Sequence, residues 1–286
     1  MNGSRPAPPT SGRPANARRG RRKRHLLLWP SRAARRRWLR RWRRTPAAGR
    51  LLIGLLLAAV AALLLNGLYQ VMRKPTELFF PVSGVLAKSP EETWQAYAPA
   101  FRRYATPAVT PELLAALAQV EASGNPLVRT YWRWSWARRP FELYRPASSA
   151  VGMYQITDGT FAEARRYCIH QHALVREGAW DDWHACWFNA LYLRIVPRDA
   201  VELTAAYLDL KVNGILERLP GAASPAQRRH LAAVVHVCGA GAALAYAQRG
   251  FRFRDGQRCG EHDPREYLRR VDDMQALFAR LAARSE

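Results

Sequence analysis

The chain has 286 residues, is 49% hydrophobic and carries a formal net charge of +23. That length accommodates one sizeable domain with extensions. The charge is concentrated: residues 1–50 hold 17 of the 45 Lys and Arg and no acid, so the rest carries 28 basic against 22 acidic residues, a net of +6. The folded part is therefore only mildly basic, which excludes reading the whole chain as a polycationic nucleic-acid binder.

The first element is that tail, residues 1–50. "RPAPPTSGRPANARRGRRKR" has no helical or strand period and is expected to be disordered. "RAARRRWLRRWRR" sets Trp38, Leu39 and Trp42 among arginines, the pattern of a helix on a membrane surface, and its expected partner is anionic lipid rather than nucleic acid. Residues 51–72, "LLIGLLLAAVAALLLNGLYQVM", carry no charge and are long enough to cross a hydrocarbon core of about 30 Å. The long basic region before them, and the lack of a small-x-small site after them, mark an uncleaved anchor rather than a signal peptide. Positive charge stays on the cytoplasmic side, so the expectation is a single-pass inner-membrane protein with its N-terminus in the cytoplasm and everything after Arg73 in the periplasm.

All four cysteines, Cys168, Cys186, Cys238 and Cys259, follow the anchor. An even set in an exported domain points to two disulfides, and the local pairs Cys168–Cys186 and Cys238–Cys259 are preferred among three connectivities. The rival is a metal site, since His236 and His262 lie near Cys238 and Cys259. No C-x-x-C pair occurs, so neither metal nor cofactor is expected.

Residues 73–88 read as a stalk and 89–286 as the exported domain. Ser89-Pro90, Thr110-Pro111, Ser224-Pro225 and Asp263-Pro264 each place a capping oxygen before a proline at N1, and three of them have Glu or Gln at N3. Helices are predicted after Ser89, over Pro111–Ala122, and over 158–170, 180–195, 199–218, 225–238 and 264–284. With no internal repeat and no convincing sheet, the class is mainly α.

In the second of these helices Leu113, Leu114, Leu117 and Val120 form one apolar face, and Glu121 borders it. Gly124, Asn125 and Pro126 then stop the helix. A carboxyl so placed is expected to be partly desolvated, with a raised pKa and a proton to give as a general acid.

Glu121-Ala122-Ser123-Gly124-Asn125-Pro126 followed by Gly152-Met153-Tyr154-Gln155 resembles the lytic transglycosylase family of peptidoglycan-cleaving enzymes. Its members end a helix in Glu-Ser-x-x-Asn-Pro, where this chain has Ala122 in place of the serine, and follow with a Gly-Leu-Met-Gln block. A third family element, Ala-Tyr-Asn-Ala-Gly-Pro-Gly, falls on Val235–Gly241, with His236 in place of the tyrosine and Val237 in place of the asparagine. The resemblance covers residues 89–286. "CGEHD", Cys259–Asp263, is similar to a membrane-anchored branch associated with secretion or conjugation machinery.

The resemblance implies a lysozyme-like fold of the goose-type or soluble lytic transglycosylase kind behind a single N-terminal transmembrane helix. It also implies that Glu121 protonates the bond between N-acetylmuramic acid and N-acetylglucosamine in a glycan strand and then takes the proton of the 6-hydroxyl. The product is a 1,6-anhydro sugar, formed without a second carboxylate. Glu142, Asp158, Asp181 and Asp182 are the acids available for a hydrolase instead. By the same resemblance Gln155 and the backbone of Met153 and Tyr154 line the cleft, Ser149 is a further sugar contact, and His236 substitutes for the tyrosine as a donor near Glu121.

The intervening stretch contains "YWRWSWARRP", in which Trp132, Trp134 and Trp136 share one side of an extended segment. These indoles, Trp134 among them, suit stacking on pyranose rings, with Arg133, Arg138 and Arg139 attracting acidic peptide stems. They equally suit packing on the helices or against the membrane. Two other readings stay open beside the transglycosylase: a catalytically idle peptidoglycan-binding scaffold and a lysozyme-type hydrolase.

Overall fold

The computed structural model describes residues 32–135, 142–179, 181–182 and 185–285. Residues 1–31 of the basic tail, and Trp136, Arg138 and Arg139, lie outside them. The described residues are mainly helical, with two small hairpins.

It divides into two compact units at Ala58 and Ala59. The first contains α1 (Arg32–Arg44), on which Trp38 and Trp42 stack with centroids 5.7 Å apart. It also contains the first turns of α2 (Ala47–Arg73), whose leucines stay exposed. Among the described residues two helices are long and apolar enough to cross a membrane: α2 and α7 (Pro225–Gln248). The apolar stretch of α2 is 6% buried against 44% for that of α7, whose Leu231–Val235 segment belongs to the protein core.

The second unit holds the rest. Residues Pro75–Leu86, read from the sequence as a stalk, form a 3₁₀ helix tied to the domain through Glu77. That buried carboxylate accepts from Trp132 Nε1 (2.8 Å) and Arg129 (3.2 Å) and pairs with Lys74 (3.2 Å). Next come α3 (Pro90–Tyr104) and α4 (Pro111–Ala122). The hairpin of β1 (Trp132–Trp134) and β2 (Tyr144–Pro146) follows, and then α5 (Asp158–Ala164). A second hairpin of β3 (Tyr167–His170) and β4 (Ala173–Arg176) leads to a short 3₁₀ helix at Trp187–Leu191. The chain finishes with α6 (Pro197–Leu216), α7 and α8 (Pro264–Arg284).

The helix starts behave as their residues dictate. Ser89 and Ser224 form reciprocal capping boxes with Glu92 and Gln227, Thr110 accepts from Leu113 N, and Asp263 accepts from Arg265 N and Glu266 N.

Two expected helices are not as read. The 158–170 helix stops at Ala164, and residues 167–176 turn back as a hairpin. Its two-residue turn, Gln171-His172, holds both φ angles near +50° to +63°. That geometry normally calls for Asn or Gly and so leaves no familiar signal here. The 180–195 helix is reduced to the 3₁₀ turn at Trp187–Leu191. Here Asn189 Nδ2 donates to Tyr167 O (2.6 Å) and Cys186 is bonded to Cys168, so the segment follows the hairpin rather than its own helical propensity. The preferred disulfides, Cys168–Cys186 and Cys238–Cys259, are both present.

At the centre, α4 packs against α8, α3 and α6. Leu113 through Ala118 are all fully buried, so this helix is enclosed on every side rather than along the single face its leucines outline. The alanines let neighbouring helices approach, and each buried leucine contributes about 1.5–3 kcal/mol. Enclosing α4 fixes where its last turn points, and that turn carries Glu121.

Candidate functional site

The backbone ends α4 sharply. Ser123 adopts a left-handed conformation (φ 50°) and donates its N–H to Gln119 O, and Gly124 follows at φ 62°. Glycine is required at 124, because a Cβ there would lie 2.3 Å from Thr93 Oγ1. Asn125, buried, accepts from Leu127 N at 2.9 Å and turns the chain away. From α3, Thr93 Oγ1 donates to Gln119 Oε1 (2.7 Å), fixing the last full turn before Glu121.

Glu121 reaches a groove of about 570 Å³ whose walls include Gly84, Ala87, Asn125, Val128, Arg129 and Tyr131. Its side chain is 15% exposed. Behind it Tyr267 Oη donates to Glu121 Oε1 at 2.6 Å, and His236 Nε2 stands 3.5 Å from the same oxygen. Tyr267 lies in the first turns of α8 and His236 on α7, so three helices meet at one carboxylate.

The chain around His236 is held by a kink and a bond. Gly239 leaves helical geometry (φ 78°) two residues after Val237, and Cys238 is linked to Cys259. The latter begins a tight turn in which Cys259 and His262 exchange backbone hydrogen bonds. This turn delivers His262 edge-on to Tyr267, centroids 6.2 Å apart, just before the Asp263 cap of α8. Glu261, in the same turn, accepts from Tyr131 Oη at 3.2 Å, on the wall of the groove.

These partners reverse the expected charge state. Burial pushes the Glu121 carboxyl up, as its apolar setting suggested. Against it act the hydrogen bond and positive charge of His236, the Tyr267 hydroxyl and the field of His262. Together they outweigh desolvation, and the carboxyl sits below the ordinary carboxylate range. In the free protein Glu121 is an anion at neutral pH, not a stored acid. Tyr267, buried beside it, has its phenol pushed well above the usual tyrosine range by desolvation and then by the Glu121 charge, and so remains a donor.

The other expected contacts separate. Met153 and Tyr154 are fully buried, and Tyr154 Oη donates to Leu114 O (3.1 Å); neither offers side chain or backbone to a cleft. Gly152 is there for space: at φ 79° its Cβ would fall 2.3 Å from Arg194 O. Gln155, itself at φ 47°, donates through Nε2 to Gly152 O (2.8 Å) and Val128 O (3.4 Å), so it braces the groove wall. Ser149 accepts from Asp158 N and lies in a separate cavity of about 140 Å³ with Arg73, Lys74, Arg145 and Arg194. Trp134 lines another groove, beside α2.

Neither Glu142, paired with Arg73 and Arg145, nor Asp158, paired with Arg194, lines the Glu121 groove, and nor do Asp181 and Asp182. Among the described residues no three His, Cys, Asp or Glu side chains converge as for a metal ion. Tyr267 carries no motif signal, only its place in the first turns of α8. Glu261 and His262 lie in "CGEHD", where His262 is read only as a metal candidate beside Cys259.

No family model and no curated protein matches this chain.

Proposed function

We propose that the exported domain is a lysozyme-like peptidoglycan lytic transglycosylase in which Glu121 is the catalytic carboxyl. The reading rests on one observation. A single, nearly enclosed carboxylate faces an open groove and is hydrogen-bonded from behind by Tyr267 (2.6 Å), with His236 at 3.5 Å.

Because Glu121 is ionised in the free protein, it must take up a proton when substrate binds. A glycan strand laid in the groove removes the remaining water from Glu121, which disfavours its charge and drives the carboxyl to bind a proton from solvent. Glu121 then protonates the glycosidic oxygen as the bond from C1 of N-acetylmuramic acid breaks. The 6-hydroxyl oxygen closes on C1, and its proton returns to Glu121. No water is consumed and the carboxyl recovers its proton. Tyr267 holds one carboxylate oxygen throughout, leaving the other for the substrate.

A second reading has its own observation. Glu261 is hydrogen-bonded to Tyr131 of the groove wall, and a hydrolase would use a second carboxylate. Digestion of purified sacculi by the full chain in detergent, followed by mass analysis of the fragments, separates the two. Anhydro ends support the transglycosylase; reducing ends that vanish in Glu261→Gln support the hydrolase. Intact glycan with the wild-type protein, or unchanged cleavage by Glu121→Gln, overturns the catalytic assignment and leaves a glycan-binding scaffold.

For location, α2 is the membrane span, the arginine-rich N-terminus is cytoplasmic, and the disulfide-bonded domain lies in the oxidising periplasm. Its partners are then glycan strands, anionic lipids of the inner membrane and, in keeping with the "CGEHD" resemblance, a secretion or conjugation complex.

A further inference from the structure

One face of the last turns of α2 is covered, while Leu68 and Met72 beside it stay exposed. Leu51, Leu52, Leu55–Leu57 and Leu63–Leu65 are 49–69% exposed, whereas Asn66 and Gln70 are 3% and 5% exposed. Asn66 Nδ2 donates to Tyr144 O at 2.6 Å, and Arg73 pairs with Glu142 at 3.3 Å, so β2 runs alongside the helix. The uncharged run Leu51–Met72 of α2 rises about 33 Å, enough for the hydrocarbon core. Asn66 therefore lies in its outer third, about 9 Å before its end.

The β1–β2 hairpin is two-faced. Trp132 and Trp134 pair with Pro146 and Tyr144, and residues paired across a ladder share a face; Arg133 and Arg145 occupy the other. The Tyr144 ring lies 4.9 Å from that of Trp134 and 5.2 Å from that of Trp132. This aromatic face and the α2 residues Val60, Leu63, Leu64, Gly67 and Val71 line one groove of about 950 Å³. The aromatics remain available to an occupant: Trp134 is 64% exposed and Tyr131 is 59% exposed. Sugar stacking does not account for walls made of a helix whose leucines face lipid. Trp and Tyr at the hydrocarbon boundary are what a membrane interface selects.

We propose that the β1–β2 hairpin is an interfacial anchor and that the groove between it and α2 holds an acyl chain of a phospholipid from the bilayer. The inference rests on reading α2 as a membrane span. Its consequence for the site is geometric: Arg129 and Tyr131 line both the lipid groove and the Glu121 groove, so seating the hairpin fixes the glycan groove close above the membrane.

The test uses the full chain in vesicles of phosphatidylglycerol and phosphatidylcholine in equal parts, with a trace of phosphatidylcholine carrying a diazirine on its acyl chain. Irradiation and peptide mapping are expected to place label on α2 and on Tyr131, Trp132, Trp134 and Tyr144. In Trp134→Ser the hairpin share, normalised to the α2 label, should fall several-fold. Label on α2 with none on the hairpin overturns the anchor and leaves the membrane span standing. Absence of label from both overturns the span and the anchor with it. Hairpin labelling that is unchanged in Trp134→Ser and spreads evenly over the domain overturns the groove as the site.

Discussion

Replacing Tyr267 with Phe isolates the contact that sets the charge of the site. The ring is buried and keeps its packing; only the hydroxyl 2.6 Å from Glu121 Oε1 is lost. A hydrogen bond to a charged partner is worth about 1.5–3 kcal/mol, and one to a neutral partner about 1 kcal/mol. Glu121 has a folded-state pKa below its ordinary value, so it binds fewer protons folded than unfolded near that range. Its stabilisation is therefore present above about pH 4.3 and is lost as pH falls through the lower folded value. The deficit of Tyr267→Phe should accordingly be about 2 kcal/mol at pH 7 and shrink to about 1 kcal/mol once Glu121 is protonated. For a folded unit of this size that corresponds to a melting temperature lowered by about 4–8 °C at pH 7. Thermal and urea unfolding of the full chain in detergent, followed from pH 7 downward, measure the difference. A deficit that stays constant until the protein unfolds in acid would refute the assignment of Glu121 as an anion held by this hydroxyl.

His236→Phe removes the largest influence lowering the Glu121 pKa and leaves burial more nearly unopposed. The wild-type gain in urea midpoint from pH 4 to pH 7 should be reduced in the variant. Gly152→Ala must abandon φ 79° and push against Arg194 O, at a cost of about 3 kcal/mol or more, measured by urea unfolding; a neutral result would mean that this turn relaxes freely. Replacing Cys238 and Cys259 together by Ser opens a loop spanning 21 residues and should cost about 3 kcal/mol in a urea titration. It also releases the turn that presents His262 and Glu261, so cleavage should fall more than in the corresponding Cys168 and Cys186 variant.

Much of this architecture is legible in local signals. Capping residues, N1 prolines and the αL turn after Glu121 act within four or five positions of one another, so their geometry follows from the residues themselves. The uncharged run of α2 identifies it as a candidate span in the same way, and the disulfides join cysteines separated by 18 and 21 residues. The hairpin at 167–176 was hidden because Gln171 and His172 take left-handed angles that neither residue advertises. In the Gly-Met-Tyr-Gln block, resemblance suggested a cleft lining, whereas packing uses Met153 and Tyr154 as core and Gly152 as clearance.

By itself, the sequence determined that the chain is mainly helical, that it carries one long apolar helix near its N-terminus, and that a glutamate borders the apolar face of a helix at its last turn. Only the tertiary structure decided what that glutamate is. Tyr267 arrives from 146 positions away, and with His236 it turns a carboxyl that burial would have kept protonated into an anion. The destination of the aromatic hairpin was likewise settled by packing against α2. Helix starts are governed by bonds a few residues long, while a pKa and a groove are governed by which distant atoms come within a few ångströms.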